Sequence, residues 1–147
     1  MHKFLSLFVL ISCSSSIFAQ QDISGIWKTV DDKSGNPKAL VEIKKNADNQ
    51  YTGTIIKLFP PIGFKNTDIC QNCPAPYRNQ PMLGMEILKG LKFDAKTDSY
   101  GQGKILDPRQ GKLYNVRMKL RSDDKRLHIR GYIGVSVLGR NQVWIRQ

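Results

Sequence analysis

The chain has 147 residues, of which 40% are hydrophobic, and a formal net charge of +11. This length fits one domain with a single hydrophobic core and leaves no room for a second domain of ordinary size. Residues 101–147 contain eleven basic and three acidic residues, so a partner attracted by the charge of this last third would be anionic.

The first 19 residues have the layout of a secretory signal peptide. A short basic start that includes Lys3 precedes the apolar run 4–11, and a small-residue stretch ends at Ala19. This run is too short for a transmembrane helix, which needs about 20 apolar residues. We therefore predict a signal peptide over 1–19 and a periplasmic or secreted mature protein that does not span the membrane. A lipoprotein anchored through Cys13 is the alternative.

Residues 20–147 are predicted to form a single all-β domain. Apolar residues recur there mostly with a period of two, which is typical of strands, and no stretch keeps a helical period over three turns. The predicted strands are 25–29, 39–45, 51–58, 85–93, 102–106, 113–121, 126–133 and 142–146. Short segments rich in Gly, Asn, Asp and Pro separate most of them. Eight strands joined in this way predict an antiparallel up-and-down barrel, because closure removes exposed sheet edges.

One connection, at about 59–82, has no strand pattern and holds five of the seven prolines. Loops of this length inside a compact domain are usually functional or flexible. We therefore expect this Pro-rich segment to form a lid over one mouth of the barrel.

The same loop contains Cys70 and Cys73. This spacing occurs in disulfides, in halves of zinc sites and in redox pairs. After the leader the chain has no second Cys pair and only His128 to complete a zinc site, and a Pro-rich loop is not the strand-to-helix setting of a redox pair. A structural disulfide is the default in an exported protein, while the redox and metal alternatives stay open.

The predicted hairpin over 113–133 has one apolar face and one basic face. If its turn centres on Asp123 and Asp124, basic residues of the two strands face each other, which destabilises a hairpin. Either acids on other strands offset this repulsion or an anion binds there; a solvated outer face is the alternative. The facing pairs, which are also the candidate anion-binding residues, are Arg121 with Arg126, Lys119 with His128, and Arg117 with Arg130.

Tryptophans lie near both ends of the predicted domain, at Trp27 and Trp144. Trp buries a large area and usually packs where strands meet. We expect an arginine of the last strand, Arg140 or Arg146, to stack on Trp27 and close one end of the barrel. The alternative is two unrelated core tryptophans.

Catalytic residue types are scarce after the leader. Besides His128 there are two glutamates, Glu42 and Glu86, on different predicted strands. Segment 134–139 misses the Gly-x-Ser-x-Gly spacing by one residue and lacks its strand-to-helix context, and no phosphate-binding Gly loop precedes a helix. We therefore predict a protein that is not an enzyme, with no metal, no cofactor and no nucleic-acid partner.

The motif Gly25-Ile26-Trp27 resembles the first-strand motif of lipocalin or calycin barrels. The whole mature chain resembles an exported bacterial family catalogued as domain of unknown function 2147. The matching segments are 25–29, 70–84, 103–108, 111–114, 127–132, 138–140, Trp144 and Arg146. The resemblance implies a lipocalin-like barrel outside the cytoplasm and carries no activity with it. Gln102 departs from the glycine that the resemblance favours there, which puts a local turn in doubt.

These observations predict a barrel that binds a small apolar or amphipathic ligand without catalysis. The alternative is an interaction module that contacts anionic envelope components or a partner protein through its basic hairpin. A small anionic ligand would also suit that surface.

Overall fold

A computed structural model describes residues 22–61, 69–135 and 139–147. The predicted signal peptide and Cys13 lie outside these residues. The described chain forms eight antiparallel strands that close into one barrel. In chain order they are β1 (Gly25–Val30), β2 (Pro37–Lys45), β3 (Tyr51–Leu58), β4 (Glu86–Asp94), β5 (Ser99–Asp107), β6 (Lys112–Leu120), β7 (Arg126–Tyr132) and β8 (Gly139–Arg146). The predicted antiparallel up-and-down barrel is confirmed.

The largest differences from the predicted bounds are at β5 and β8, which each begin three residues earlier than the alternation predicts. β5 begins at Ser99, because Ser99, Tyr100 and Gly101 pair with the end of β4 before the register shifts. The shift surrounds Gln102, whose φ of 62° lies in the left-handed region. Glycine adopts that conformation without steric cost, which explains why the family resemblance favours glycine there. β8 begins at Gly139, which pairs with Tyr132 on β7.

The barrel is tightly packed at the end where β1 begins, which we call the closed end. Trp27 is fully buried there and its Nε1 donates a hydrogen bond to the carbonyl of Ile23 at 2.8 Å. The guanidinium carbon of Arg146 lies 4.4 Å from the centroid of the Trp27 ring. Of the two arginines considered for this position, Arg146 occupies it because it ends β8, whereas Arg140 lies near the opposite end of that strand.

Gly25 makes room for this arrangement. Its φ of +132° is one that L side chains rarely adopt, and a Cβ atom there would lie 3.1 Å from Nη1 of Arg146. Nη1 in turn donates a hydrogen bond to the carbonyl of Ser24 at 2.9 Å. The Gly-x-Trp spacing therefore has a structural role in this chain. The absence of a side chain at Gly25 leaves space for the guanidinium of Arg146, which stacks on the ring of Trp27.

Two buried tyrosines extend the closed end. The rings of Tyr51 and Tyr100 meet edge to face with centroids 5.2 Å apart. Tyr51 is hydrogen-bonded to both Tyr100 and Asp22. Burial is the largest cause that raises the pKa of Tyr51 to about 12, and the negative charge of Asp22 is the next. Burial is also the largest cause of the raised pKa of Tyr100, followed in size by the charge of Tyr51.

Alkaline unfolding is expected to depend on Tyr51. A folded-state pKa above the unfolded value favours the neutral phenol, so its stabilisation is complete below pH 10.0 and is lost as the pH rises toward about 12. Urea unfolding across this pH range should show a smaller loss of stability for Tyr51→Phe than for the parent. Tyr132→Phe serves as the control and should retain the parent's dependence. Equal losses in all three proteins would contradict this account.

Candidate functional site

A cavity with a volume of about 100 Å³ lies inside the barrel, on the far side of the core from the closed end. We call the nearby end, where β1 and β3 finish, the open end. The wall of the cavity is mainly apolar, and Trp144 contributes a buried aromatic ring to it. Its other apolar wall residues include Val41, Ile55, Ile87, Leu106 and Ile129. Val41, Ile55 and Ile129 face inward because successive side chains of a strand alternate between the two faces.

Gly131 provides part of the space. It follows Leu127 and Ile129 on the inward face of β7 and lines the cavity. A Cβ atom at Gly131 would meet Cβ and Cγ of Tyr114 at 3.6 Å, which is ordinary van der Waals contact. A larger side chain at this position would therefore extend into the cavity without a backbone clash.

Charged side chains surround the cavity at the open end. Lys38, Asp107, Arg109 and Arg140 all contribute to its lining. Arg140 forms an ion pair with Asp32, and the hydrogen bond between them raises the pKa of Arg140. The carboxylate of Asp107 accepts hydrogen bonds from the backbone N–H groups of the turn that follows it, at 3.0 and 3.2 Å.

The charged side chains at the open end form the rim of the cavity. The segment 69–85, which we call the stapled segment, lies against this rim. Cys70 and Cys73 are fully buried, and their Cα atoms are 5.5 Å apart, a separation typical of a disulfide. Their sulfur atoms lie 3.4 and 3.7 Å from the carbonyl oxygen of Pro108, a residue that also lines the cavity. Met82 of the same segment contributes to the lining. The predicted disulfide is thus supported, and it fixes chain that borders the cavity.

The stapled segment is closely fitted to the turn between β5 and β6. Gly111 in that turn has a φ of +69°, and a side chain there would overlap the backbone carbonyl of Asn72. Nearby, Nη2 of Arg109 donates a hydrogen bond to the carbonyl of Phe59 at 3.2 Å. These contacts hold the described parts of the long connection against the rim. The predicted lid includes residues 62–68, which lie outside the described chain.

The six candidate anion-binding residues all lie on the β6–β7 hairpin and its turn. The predicted pairing is confirmed: Arg117 faces Arg130 and Lys119 faces His128, while the N–H of Arg121 donates a hydrogen bond to the carbonyl of Arg126 at 2.9 Å. The side chain of Arg126 forms an ion pair with Asp123 at 2.7 Å. Nη1 of Arg130 donates a hydrogen bond to Asn141 on β8. This basic face points away from the cavity.

Several residues of the cavity did not emerge from the sequence as site candidates. Lys38 and Arg109 reach its rim from different strand ends, and only the closed topology brings them together. Gly131 belongs to the predicted apolar alternation of β7, but the space beside it depends on the position of Tyr114 on the neighbouring strand β6. Within 22–61, 69–135 and 139–147, three or more His, Cys, Asp or Glu residues do not come together in a way that could hold a metal ion.

Two comparisons place the chain among known proteins. Residues 25–146 match the sequence model of a family described as "Uncharacterized protein conserved in bacteria (DUF2147)". A solved structure described as "Protein HP1028 from the human pathogen Helicobacter pylori belongs to the lipocalin family" matches with a TM-score of 0.69 and 22% identity, over 86% of this chain and 83% of that one. At this identity the likeness shows the fold alone. No curated protein matches the chain. The described residues contain no helix that is long and apolar enough to cross a membrane.

Proposed function

Because the chain belongs to the DUF2147 family and has a lipocalin-like barrel, we propose that it binds one small, mainly apolar molecule inside the barrel and carries out no catalysis. The observation that carries the proposal is the apolar cavity beneath the charged rim. Small-molecule sites are commonly concave and apolar, with a few polar groups that orient the ligand.

The size of the cavity limits the ligand. Its volume is about 100 Å³, whereas pockets for drug-sized ligands span roughly 300–1,000 Å³ and an engineered apolar cavity of about 150 Å³ binds benzene. The proposed ligand is therefore a small ring or a short acyl chain rather than a long-chain lipid.

The rim favours an amphipathic ligand with an anionic head. Two of its three cations, Lys38 and Arg109, form no ion pair among the described residues, and Arg109 donates to a neutral carbonyl. The carboxylates at the rim are engaged, Asp107 by backbone N–H groups and Asp32 by Arg140. An anionic head at the rim would therefore meet positive charge that the protein has not neutralised.

The proposed setting is an oxidising compartment outside the cytoplasm. Disulfides persist in such compartments and are rare in the cytosol. The Cys70 and Cys73 pair agrees with the predicted signal peptide over 1–19 in this respect.

Filling the cavity is expected to weaken binding. Gly131→Leu adds a side chain beside Tyr114, so the affinity for hexanoate and for benzene should fall at least about tenfold, or 1.4 kcal/mol. The measurement is isothermal titration calorimetry on protein whose folding is checked by its thermal melt. Gly101→Leu is the matched control: it makes the same change on β5 at a position with no atom within 4 Å of the added Cβ, and it should bind like the parent.

Two results would contradict the proposal. One is equal affinity of the parent and Gly131→Leu for both probes. The other is failure of the folded parent to bind either probe, since the cavity would then not accept the class of ligand that its size and lining select.

A further inference from the structure

The outer face of β6, β7 and β8 forms a trough with a volume of about 810 Å³. The β1–β2 turn borders it on one side and the β4–β5 turn on the other, through Gly35 and Thr97 among other residues. The trough is separated from the internal cavity by the sheet itself. The side chains along its floor are those of Arg117, Lys119, His128, Arg130, Asn141 and Val143.

Positive charge is concentrated on this floor. The strand register places Arg117 opposite Arg130 and Lys119 opposite His128. Like charges directly opposite each other cost a sheet stability, so the placement of Arg117 opposite Arg130 is unfavourable unless something negative offsets it.

For Arg117 and Lys119, the acidic side chains of the described barrel do not supply that offset. The ion pairs among the described residues leave out both Arg117 and Lys119. The two carboxylates on the border of the trough have other partners: Asp32 pairs with Arg140, and Asp31 accepts hydrogen bonds from the β1–β2 turn, including one from the N–H of Ser34 at 2.8 Å. An external anion would therefore meet a floor that is still positively charged.

We propose that this trough binds a segment of a linear acidic polysaccharide. Side chains two residues apart on one face of a strand are spaced by about 7 Å, so the floor offers Arg117 and Arg130, and then Lys119 one step along β6, to an extended chain of carboxylates. Asn141 and Thr97 place an amide and a hydroxyl on the lining of the trough, and groups of this kind form hydrogen bonds with sugar hydroxyls. Tyr, Trp and Phe side chains do not line the described trough, so it lacks the stacking platform that single-stranded nucleic acid uses.

The concave shape also favours a chain over a flat surface. The two turns border the floor, and a planar bilayer resting on them would keep its headgroups away from Arg117 and Lys119. A polymer strand can lie along the floor between the turns and reach Arg117, Lys119 and Arg130. This site does not depend on the ligand of the internal cavity.

The test is binding of alginate oligosaccharides to the full mature chain, measured by calorimetry at low and high salt. The parent should bind, and its affinity should fall as salt rises, because exposed charges are screened. Arg117→Glu combined with Lys119→Glu should weaken binding at least about tenfold. The matched control reverses Lys44 and Lys57, both exposed on β2 and β3 across the barrel, and should stay within about twofold of the parent.

Equal weakening in the test and control variants would overturn the proposal, because the effect would then reflect net charge alone. Tighter binding of the parent to phosphatidylglycerol vesicles or to single-stranded DNA than to alginate would overturn it in favour of a bilayer or a nucleic acid. The Arg117 and Lys119 variant should bind benzene like the parent, so a failure of the trough and a failure of the cavity give different results.

Discussion

Replacing Trp27 with alanine is expected to lower the free energy of unfolding by about 3–5 kcal/mol. The indole is fully buried, so its removal leaves a cavity that the surrounding strands fill only in part. The carbonyl of Ile23 also loses the hydrogen bond from Nε1, and the guanidinium of Arg146 loses the ring beneath it. Urea unfolding followed by far-ultraviolet circular dichroism measures the change.

The matched control for this change is Leu113→Ala on β6. Leu113 is 41% exposed, so its truncation removes less buried surface and should cost under about 1 kcal/mol. A loss for Trp27→Ala no greater than that of the control would show that the closed end does not depend on the indole.

Arg146→Ala is expected to lower the free energy of unfolding by about 2–3 kcal/mol, because a charge-assisted hydrogen bond network and a cation–π contact are lost together. The guanidinium donates to the carbonyls of Ser24, Asp22 and Asp124 at 2.9, 2.9 and 2.7 Å. It thereby joins the start of β1, the end of β8 and the β6–β7 turn. Its ion pair with Asp124 adds little, since that carboxylate is exposed.

Two comparisons separate this role from simple loss of charge. Arg146→Lys keeps the charge but not the planar fork, so it should recover less than half of the lost stability. Arg140→Ala removes an arginine from the same strand at the open end, where its ion pair is partly exposed, and should cost about 1 kcal/mol or less. Equal losses for Arg146→Ala and Arg140→Ala would contradict the account of the closed end.

The sequence predicted the barrel because period-two alternation is a local property of each strand. β3 has the predicted bounds of 51–58, and the β6–β7 hairpin has the predicted pairing. The starts of β5 and β8 were not predicted, since glycine-rich segments such as 99–103 carry no alternating pattern. Their strand character comes from pairing with β4 and β7, which is a tertiary effect.

The sites were predictable to a smaller extent. Which arginine stacks on Trp27, Arg140 or Arg146, depends on its position along β8 and on the register of β8 against β1. The cavity depends on which inward-facing positions have small side chains. That Gly131 lies next to Tyr114 and leaves space there is known only once the strands of the barrel are paired. The fit of Gly111 to Asn72 joins segments 39 positions apart in the chain. No local pattern encodes such a contact.

Native mass spectrometry of the protein purified from its own producing cells tests the proposed internal site most directly. The account predicts that the parent and Gly101→Leu retain one small molecule in addition to the mass of the mature polypeptide, and that folded Gly131→Leu does not. The bare polypeptide mass in the parent and Gly101→Leu, or the same bound molecule in all three proteins, would contradict it.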